Sequence, residues 1–314
     1  MESHRAGDRI FRGLTLGAGS AVLLLMSAIT VFLVVKAIPA LQTNTSNFLT
    51  ETRWLPDQVD DRGIAQPVFG IAALLFHTIV TSVIALLLAV PVAIGVALFI
   101  THYAPRRIGT TLGLLVDLLV AVPSIVYGLW GFAFLAPHLT GAVEWLDRWL
   151  GWTVVFDYRP DSVPTNRSDL AAGIVLAIMI LPIISSISRE VFRQTPRDHI
   201  EAALALGATR WEMLRTAVLP HGRSGVFSAS VLGLGRALGE TLAVTLVLAS
   251  LYSVSLHITE SGGVTFASNI ANKYGEAGSV GLSALIASAL VLFLLTLAVN
   301  FAGTLIIRRG RNVG

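Results

Sequence analysis

Two charged residues stand four positions apart inside an apolar run. Arg236 and Glu240 lie in Gly233–Thr245, which reads GLGRALGETLAVT. Apolar sequence flanks them from Val226 to Leu232 and from Leu242 to Leu251. A run this long and apolar reads as membrane-spanning. An ionised side chain at mid-bilayer costs about 2.5–3.5 kcal/mol even on the lenient insertion scale. On one helix, positions i and i+4 share a face, so the two charges would partly neutralise each other. Gly235 and Gly239 form a small-xxx-small pattern that lets another helix approach. Two chemistries fit the pair. One is a structural ion pair that locks two helices together. The other is a polar pathway with a fixed cation in it, which suits an anion.

Few other residues within the apolar segments carry chemistry. Asp117 is expected near the inner end of the third segment. It either contacts Arg236 or repels an anion leaving inward. Ser124 and Thr241 offer hydroxyl donors, although such groups commonly bond their own backbone in membrane helices. His77 is the one histidine deep in a segment, and it reads as a packing or pore-mouth residue. No His-Glu-x-x-His run and no nucleophile–base arrangement is evident, which leaves an intramembrane enzyme without support. A P-loop needs Gly-Lys-[Ser/Thr]. Lys36 follows Val35 and Lys273 follows Asn272, so any ATP is bound by a partner. The chain has no cysteine, which excludes disulfides and thiolate metal sites.

The elements that must position these groups follow from composition. The 314 residues are 54% hydrophobic and 13% charged, with a mean hydropathy of +0.75. Soluble domains carry about twice that charge. The class is an all-α polytopic membrane protein. Six apolar segments are expected, at about 14–38, 68–101, 110–136, 170–188, 224–256 and 281–307. Residues 1–13 and 308–314 are short charged ends. The first apolar run lacks a clear cleavage site and reads as a retained span. Pro91, Pro123 and Pro182 fall inside segments and are expected to kink them. Arginines set the orientation. With the N-terminus inside, the inner segments hold twice as many basic residues as the outer ones, so both termini read as cytoplasmic. The pI near 9.6 therefore reflects membrane topology, and no nucleic-acid partner is implied. Acids such as Asp57, Asp60, Asp61, Asp157, Asp161 and Asp169 fall outside. In the third loop Trp145, Trp149 and Trp152 recur near helical spacing, which fits an interfacial helix better than a sugar-stacking surface. Asn166-Arg167-Ser168 matches a glycosylation acceptor, a pattern too short to weigh.

The inner segment 189–223 is more than a connection. Thr195-Pro196 with Asp198 resembles a helix start. Residues 200–206 are strong helix formers, and Gly207 interrupts them. Thr209 with Glu212 forms a capping box for a second helix through Arg215, which Pro220 is expected to end. The product is a helix–Gly–helix elbow, smooth at Ala202, Ala203 and Ala205. It suits a groove on another protein, or else lies on the lipid surface.

These residues carry a resemblance. Glu201-Ala202-Ala203, then Gly207, then Ala217-Val218-Leu219-Pro220 resembles the E-A-A…G…I-x-L-P loop of bacterial ABC importer permeases, with Ala217 where the family usually has Ile. Val122-Pro123-Ser124-Ile125-Val126-Tyr127-Gly128-Leu129-Trp130-Gly131 is similar to phosphate-importer permeases of the PstC type. So are GLGRALGETLAVT and the run from Leu98 to Pro105. The resemblance implies a type I importer permease fold of six helices in the bacterial cytoplasmic membrane. It implies a PstA-type second permease, two ATPase subunits that bind ATP and Mg, and an extracytoplasmic phosphate-binding protein. It makes residues 189–223 the coupling loop, with Glu201, Ala202, Ala203, Gly207, Leu219 and Pro220 at the ATPase. It also associates Arg236 and Glu240 with translocation. The chemistry agrees, because an arginine fork matches the oxygens of inorganic phosphate and stays charged. A permease for sulfate, molybdate or phosphonate is the alternative within the family. An autonomous channel or carrier is the alternative outside it, and leaves the elbow unexplained.

The orientation is tested by reporter fusions. Those at Arg107, Arg210 and Arg311 should read cytoplasmic, and those at Asp60, Arg159 and Lys273 extracytoplasmic. An outside signal at Arg210 overturns the topology.

Overall fold

The computed structural model describes residues 3–157 and 167–311. Arg159, Asp161 and Asn166 lie outside the described residues, as do the side chains of Arg5, Arg308, Arg309 and Arg311. The first helix, α1 (Ser3–Thr43), is apolar and exposed along most of its length. It packs against the last helix, α13 (Ser279–Arg311). The second segment begins later than its hydropathy suggests. Val68–Phe69 form a strand, β2, paired antiparallel with β1 (Trp54–Leu55). Helix α2 (Ala72–Leu98) follows and runs on as a π turn to Tyr103. Trp54 and Phe69 meet edge to face at 5.8 Å and close a small core over the ends of α1 and α13. The loop between α1 and α2 is thus a folded cap. Asp57 fastens it, accepting from the Gly278 and Gly281 amides at 2.9 Å each.

The centre is the contact between α2 and α7 (Asp169–Arg193). Ala85, Ala89, Ala93 and Ala97 recur every four residues along α2 and are fully buried. Small side chains at that spacing let two backbones approach, which drives packing where water supplies no hydrophobic force. Pro91 and Pro182 lie inside α2 and α7, which both continue through them.

The third apolar segment is not one helix. It divides into α3 (Arg106–Val120) and α4 (Ser124–Trp130), bent by 90° at a break around Pro123. From α4 the chain continues through a π turn into α5 (Ala136–His138). Helix α6 (Thr140–Leu150) buries Val143 and leaves Trp145 and Trp149 exposed.

The elbow is α8 (Arg197–Ala205) and α9 (Arg210–Met213). Pro220 does not end the second helix. A π turn at Leu214–Val218 widens the spiral just before it. That register relieves the clash between a proline ring and the carbonyl four residues back. The chain therefore runs on helically into α10 (Leu219–Leu238). The fifth segment then breaks. After Gly239 a short helix, α11 (Leu242–Val247), is followed by a non-helical outer loop and α12 (Phe266–Lys273). The six expected segments thus resolve, among the described residues, into four helices long and apolar enough to cross a membrane, or five with the bent α3–α4 pair.

The two broken segments pack on each other. Gly128 of α4 sits against Ala243 of α11, where an added methyl would lie 2.6 Å from the Ala243 Cα. Gly128→Val should therefore part the two, at a cost of about 1–3 kcal/mol for overpacking. Gly95 has nothing within 4 Å of an added methyl, so Gly95→Ala should leave the melting temperature unchanged or higher. Thermal unfolding in detergent compares them, and equal melting temperatures would contradict the packing.

Candidate functional site

The run Gly-x-x-x-Gly-Glu-Thr is a poor helix former, and the chain leaves the helix there. Helix α10 ends at Leu238, and Gly239 (φ −95°, ψ 2°) turns the backbone. The Glu240 amide still donates to the Ala237 carbonyl at 3.3 Å. Arg236 and Glu240 are therefore not a pair on one helical face. No ion pair joins them among the described residues. Glu240 instead accepts from the Ala243 amide at 3.2 Å, at the start of α11. Each charge then sits at a helix end whose dipole suits it, a cation in the last turn of α10 and an anion at the head of α11. Arg236 is exposed on the surface of this chain, whereas Glu240 is half-buried. The glycine expectation changes too. Gly235 and Gly239 have no tight neighbour, and close approach to α7 occurs at Gly222, Gly225 and Gly233.

The second break faces the first. Val122-Pro123-Ser124 turns the chain, and turn hydrogen bonds run from Ala121 to Leu118 and from Val122 to Leu119. Tyr127 completes the repair, its hydroxyl donating to the Leu119 carbonyl at 3.0 Å. Tyr127 also lies close enough to Arg236 to feel its charge. Ser124 opens α4 and is half-buried. The Thr241 hydroxyl donates to the Gly239 carbonyl at 3.3 Å, back to its own turn. Tyr127 stands in the quoted PstC-like stretch, yet no spacing rule singles it out. Its role depends on the bend.

Asp117 has a different partner from the two expected. It lies in the last turn of α3, three residues before the helix end at Val120. Arg189 of α7 donates to both carboxylate oxygens at 2.8 Å, and Ser186 donates at 2.9 Å. Arg189 belongs to a buried helix face, not to a free inner loop. Gly113, one turn before Asp117, leaves room for the guanidinium. The pair ties α3 to α7 and does not reach Arg236.

His77 is likewise no pore-mouth residue. It is 3% exposed and bonded to Asp169 at 2.7 Å. Arg167 was missed as a structural cation. It donates to the carbonyls of Leu246 and Leu248 at the tail of α11, and stacks over Phe132 at 5.5 Å. Helix α11 is thus held by an acid at its head and a base at its tail.

The elbow is built as its residues suggest. The Thr209 hydroxyl accepts from the Glu212 amide at 3.3 Å, and Glu212 accepts from the Thr209 amide at 2.8 Å. The Thr209 amide, and after it the Thr209 hydroxyl, which also donates to the carboxylate at 2.8 Å, hold the Glu212 carboxyl below the usual carboxylate range. Gly207 turns the chain at φ +82°, a conformation that other residues rarely adopt. Ala203 and Leu219 pack against a core of Leu98, Phe192, Leu214 and Val218. Glu201, Ala202 and Pro220 are accessible, Pro220 only partly covered. A groove of about 440 Å³ lies between Ala202, Ala203, Ala217 and Pro220. Beside it Leu206 is 90% exposed, an apolar tip that no described residue of this chain covers.

Comparison with known proteins gives the family. Residues 89–312 match the family described as binding-protein-dependent transport system inner membrane component. The phosphate transport system permease protein PstC 2 of Mycobacterium tuberculosis is 49% identical over 303 residues, covering 96% of this chain and 92% of that protein. The PstC protein of Xylella fastidiosa is 38% identical, covering 96% and 91%. Among solved structures, a bacterial ABC transporter involved in alginate import aligns with a TM-score of 0.54 at 18% identity, over 76% of this chain and 79% of that one. The inward-facing MetNI methionine ABC transporter aligns at 0.50 and 20% identity, over 77% and 94%. Those two alignments establish the fold alone. The chain belongs to the inner membrane components of binding-protein-dependent transport systems, and within them to the PstC phosphate transport permeases.

Proposed function

We propose that this chain moves inorganic phosphate through a pathway that Arg236 lines, as one of two permease subunits of an ATP-driven importer. Six crossings carry it, made by α1, α2, the bent α3–α4 pair, α7, the α10–α11 segment and α13, with both termini cytoplasmic. A PstA-type permease pairs with it, and an extracytoplasmic phosphate-binding protein delivers the anion. Two ATPase subunits, which bind ATP and Mg, dock on the elbow at Glu201, Ala202, Ala203, Gly207, Leu219 and Pro220.

The observation that carries the reading is Arg236 itself. It stands exposed at a helix break, and no carboxylate neutralises it among the described residues. Helix breaks at membrane depth are tolerated where backbone lines a cavity or is buried in protein. Transporters use such discontinuous helices to meet their substrates. The arginine fork matches phosphate oxygens. One fork alone binds weakly enough to let the anion leave. Glu240, Ser124 and Thr241 sit at the same pair of breaks and shape the path. Asp117 lies at the α3 end of the bend, committed to Arg189, and acts as a strut.

Because Arg236 and Glu240 do not bond each other, their substitutions should act independently. Arg236→Leu should insert, assemble and import nothing, and Arg236→Lys should keep weakened uptake. Glu240→Leu removes a bond at the head of α11 and should cost about 1 kcal/mol, the usual value of a cap. The double Leu variant should then be as stable as the sum of the singles and still import nothing. Wild-type uptake by that variant would refute the pathway.

Gly207→Val places a β-branched residue at a positive φ and should loosen the ATPase subunits or uncouple hydrolysis from uptake. Coupled uptake at the native rate would show the elbow to be a surface helix only.

A further inference from the structure

A buried histidine outside the pathway has both ring nitrogens facing acceptors. His77 Nε2 lies 2.7 Å from the Ser253 carbonyl, and Nδ1 lies 2.7 Å from Asp169 Oδ2. Both side chains are about 95% buried. A carbonyl cannot donate, so Nε2 carries a hydrogen. The contact at Nδ1 then needs a second proton, on the ring or on the carboxyl. Either placement leaves the pair neutral, and the proton count is the same. A neutral ring beside an ionised carboxylate would set two acceptors against each other out of water.

What this proton holds is the loop between α11 and α12. Ser253 is in that loop, and Leu251 bridges to Gly263 within it. Thr78, the next residue on α2, accepts from the Phe266 amide at 3.1 Å where the loop ends. Gly263 lies against both partners, at φ +89°, and an added methyl there would be 2.7 Å from Asp169 Oδ1. Ser250, just after α11, has φ 58°, a strained backbone that persists only where its surroundings over-determine it. The segment 167–169 joins the two ends. Arg167 caps the tail of α11, and Asp169 grips His77.

We propose that His77 and Asp169 share one buried proton that latches the outer loop 249–264 onto α2 and α7, and so positions α11 beside Arg236. Losing the proton leaves an acceptor–acceptor contact, and the loop lifts. His77 is a positioning residue. The latch stands on its own geometry, whereas its effect on uptake rests on the phosphate reading. The groups that face His77 are Asp169 from α7, the Ser253 carbonyl and Gly263 from the loop, and the Phe76 ring from α2. Two other ionisable side chains near the loop are engaged elsewhere: Arg167 with the tail of α11, and His257, which lies 3.6 Å from Asp157 and 3.9 Å from Glu260.

The chain has no cysteine, so single cysteines report cleanly. Thr259→Cys, buried in the loop at 1% exposed, is compared with the exposed Val59→Cys in the cap between α1 and α2, in the full importer in liposomes, using a membrane-impermeant maleimide. The ratio of the two rates cancels the pH dependence of the thiol. From neutral to alkaline pH the ratio should rise, at up to about tenfold per unit, the slope of one bound proton. Asp169→Asn offers an amide donor to Nδ1 and lets a neutral ring keep both bonds, so its ratio should stay low and flat. His77→Phe should give a high ratio at every pH, and His257→Gln should leave the rise in place. A flat ratio in the native chain overturns the proposal. So does a rise that survives Asp169→Asn or vanishes with His257→Gln. Phosphate enters none of these readings. A latch that behaves as described in an importer that moves another anion would fault the substrate alone.

Discussion

In hydrocarbon an unpaired peptide group costs several kcal/mol, and no water is present to lower that cost. Two apolar segments of this chain nevertheless break, around Pro123 and at Gly239. Everything around the breaks answers that constraint. The Tyr127 hydroxyl takes the Leu119 carbonyl, Glu240 takes the Ala243 amide, and Arg167 takes the carbonyls at the tail of α11. The breaks then pack together through Gly128 and Ala243. Glu240, which looks like an isolated charge in an apolar run, is thus a backbone partner.

One charge is left over once that repair is complete. Arg236 ends a helix whose dipole favours a cation there, and it meets no acceptor in its own chain among the described residues. In the pathway proposed above, this exposed guanidinium among broken helices is where a transient anion is met, and membership of the phosphate permeases makes that anion phosphate. The remaining charged groups serve to hold this geometry. Arg189 and Asp117 fix α3 to α7 at the bend, and His77 and Asp169 fix the outer loop to α2 and α7. The π turn before Pro220 joins α9 of the elbow to α10 without a break. In the proposed importer, a movement of the elbow would reach Arg236 along the contiguous helix of α9, the π turn and α10.

Much of this was legible in the sequence, and the rest was not for physical reasons. Helices α1, α2, α7 and α13 announce themselves, because length and hydropathy suffice to define a span. The elbow is legible because its signals are local: Thr209 and Glu212 cap across three residues, and Gly207 marks the turn. The breaks are not, because hydropathy does not change across them. Pro123 lies at one, but Pro91 and Pro182 sit in helices that continue, so proline alone does not distinguish them. The supposed i, i+4 pair failed because the reading assumed a helix through Gly239. The partners of Asp117 and His77 lie 72 and 92 residues away, and only the packing of α3 and α2 on α7 brings them together.

The account stands or falls on an ATP-driven flux of phosphate through this chain. The direct measurement is uptake of labelled phosphate into vesicles rebuilt with this permease, its second permease, the ATPase subunits and the binding protein, with and without excess sulfate. The account predicts accumulation that needs both ATP and the binding protein and that sulfate leaves unchanged. Accumulation by the permease without ATP, or equal competition by sulfate, would contradict it.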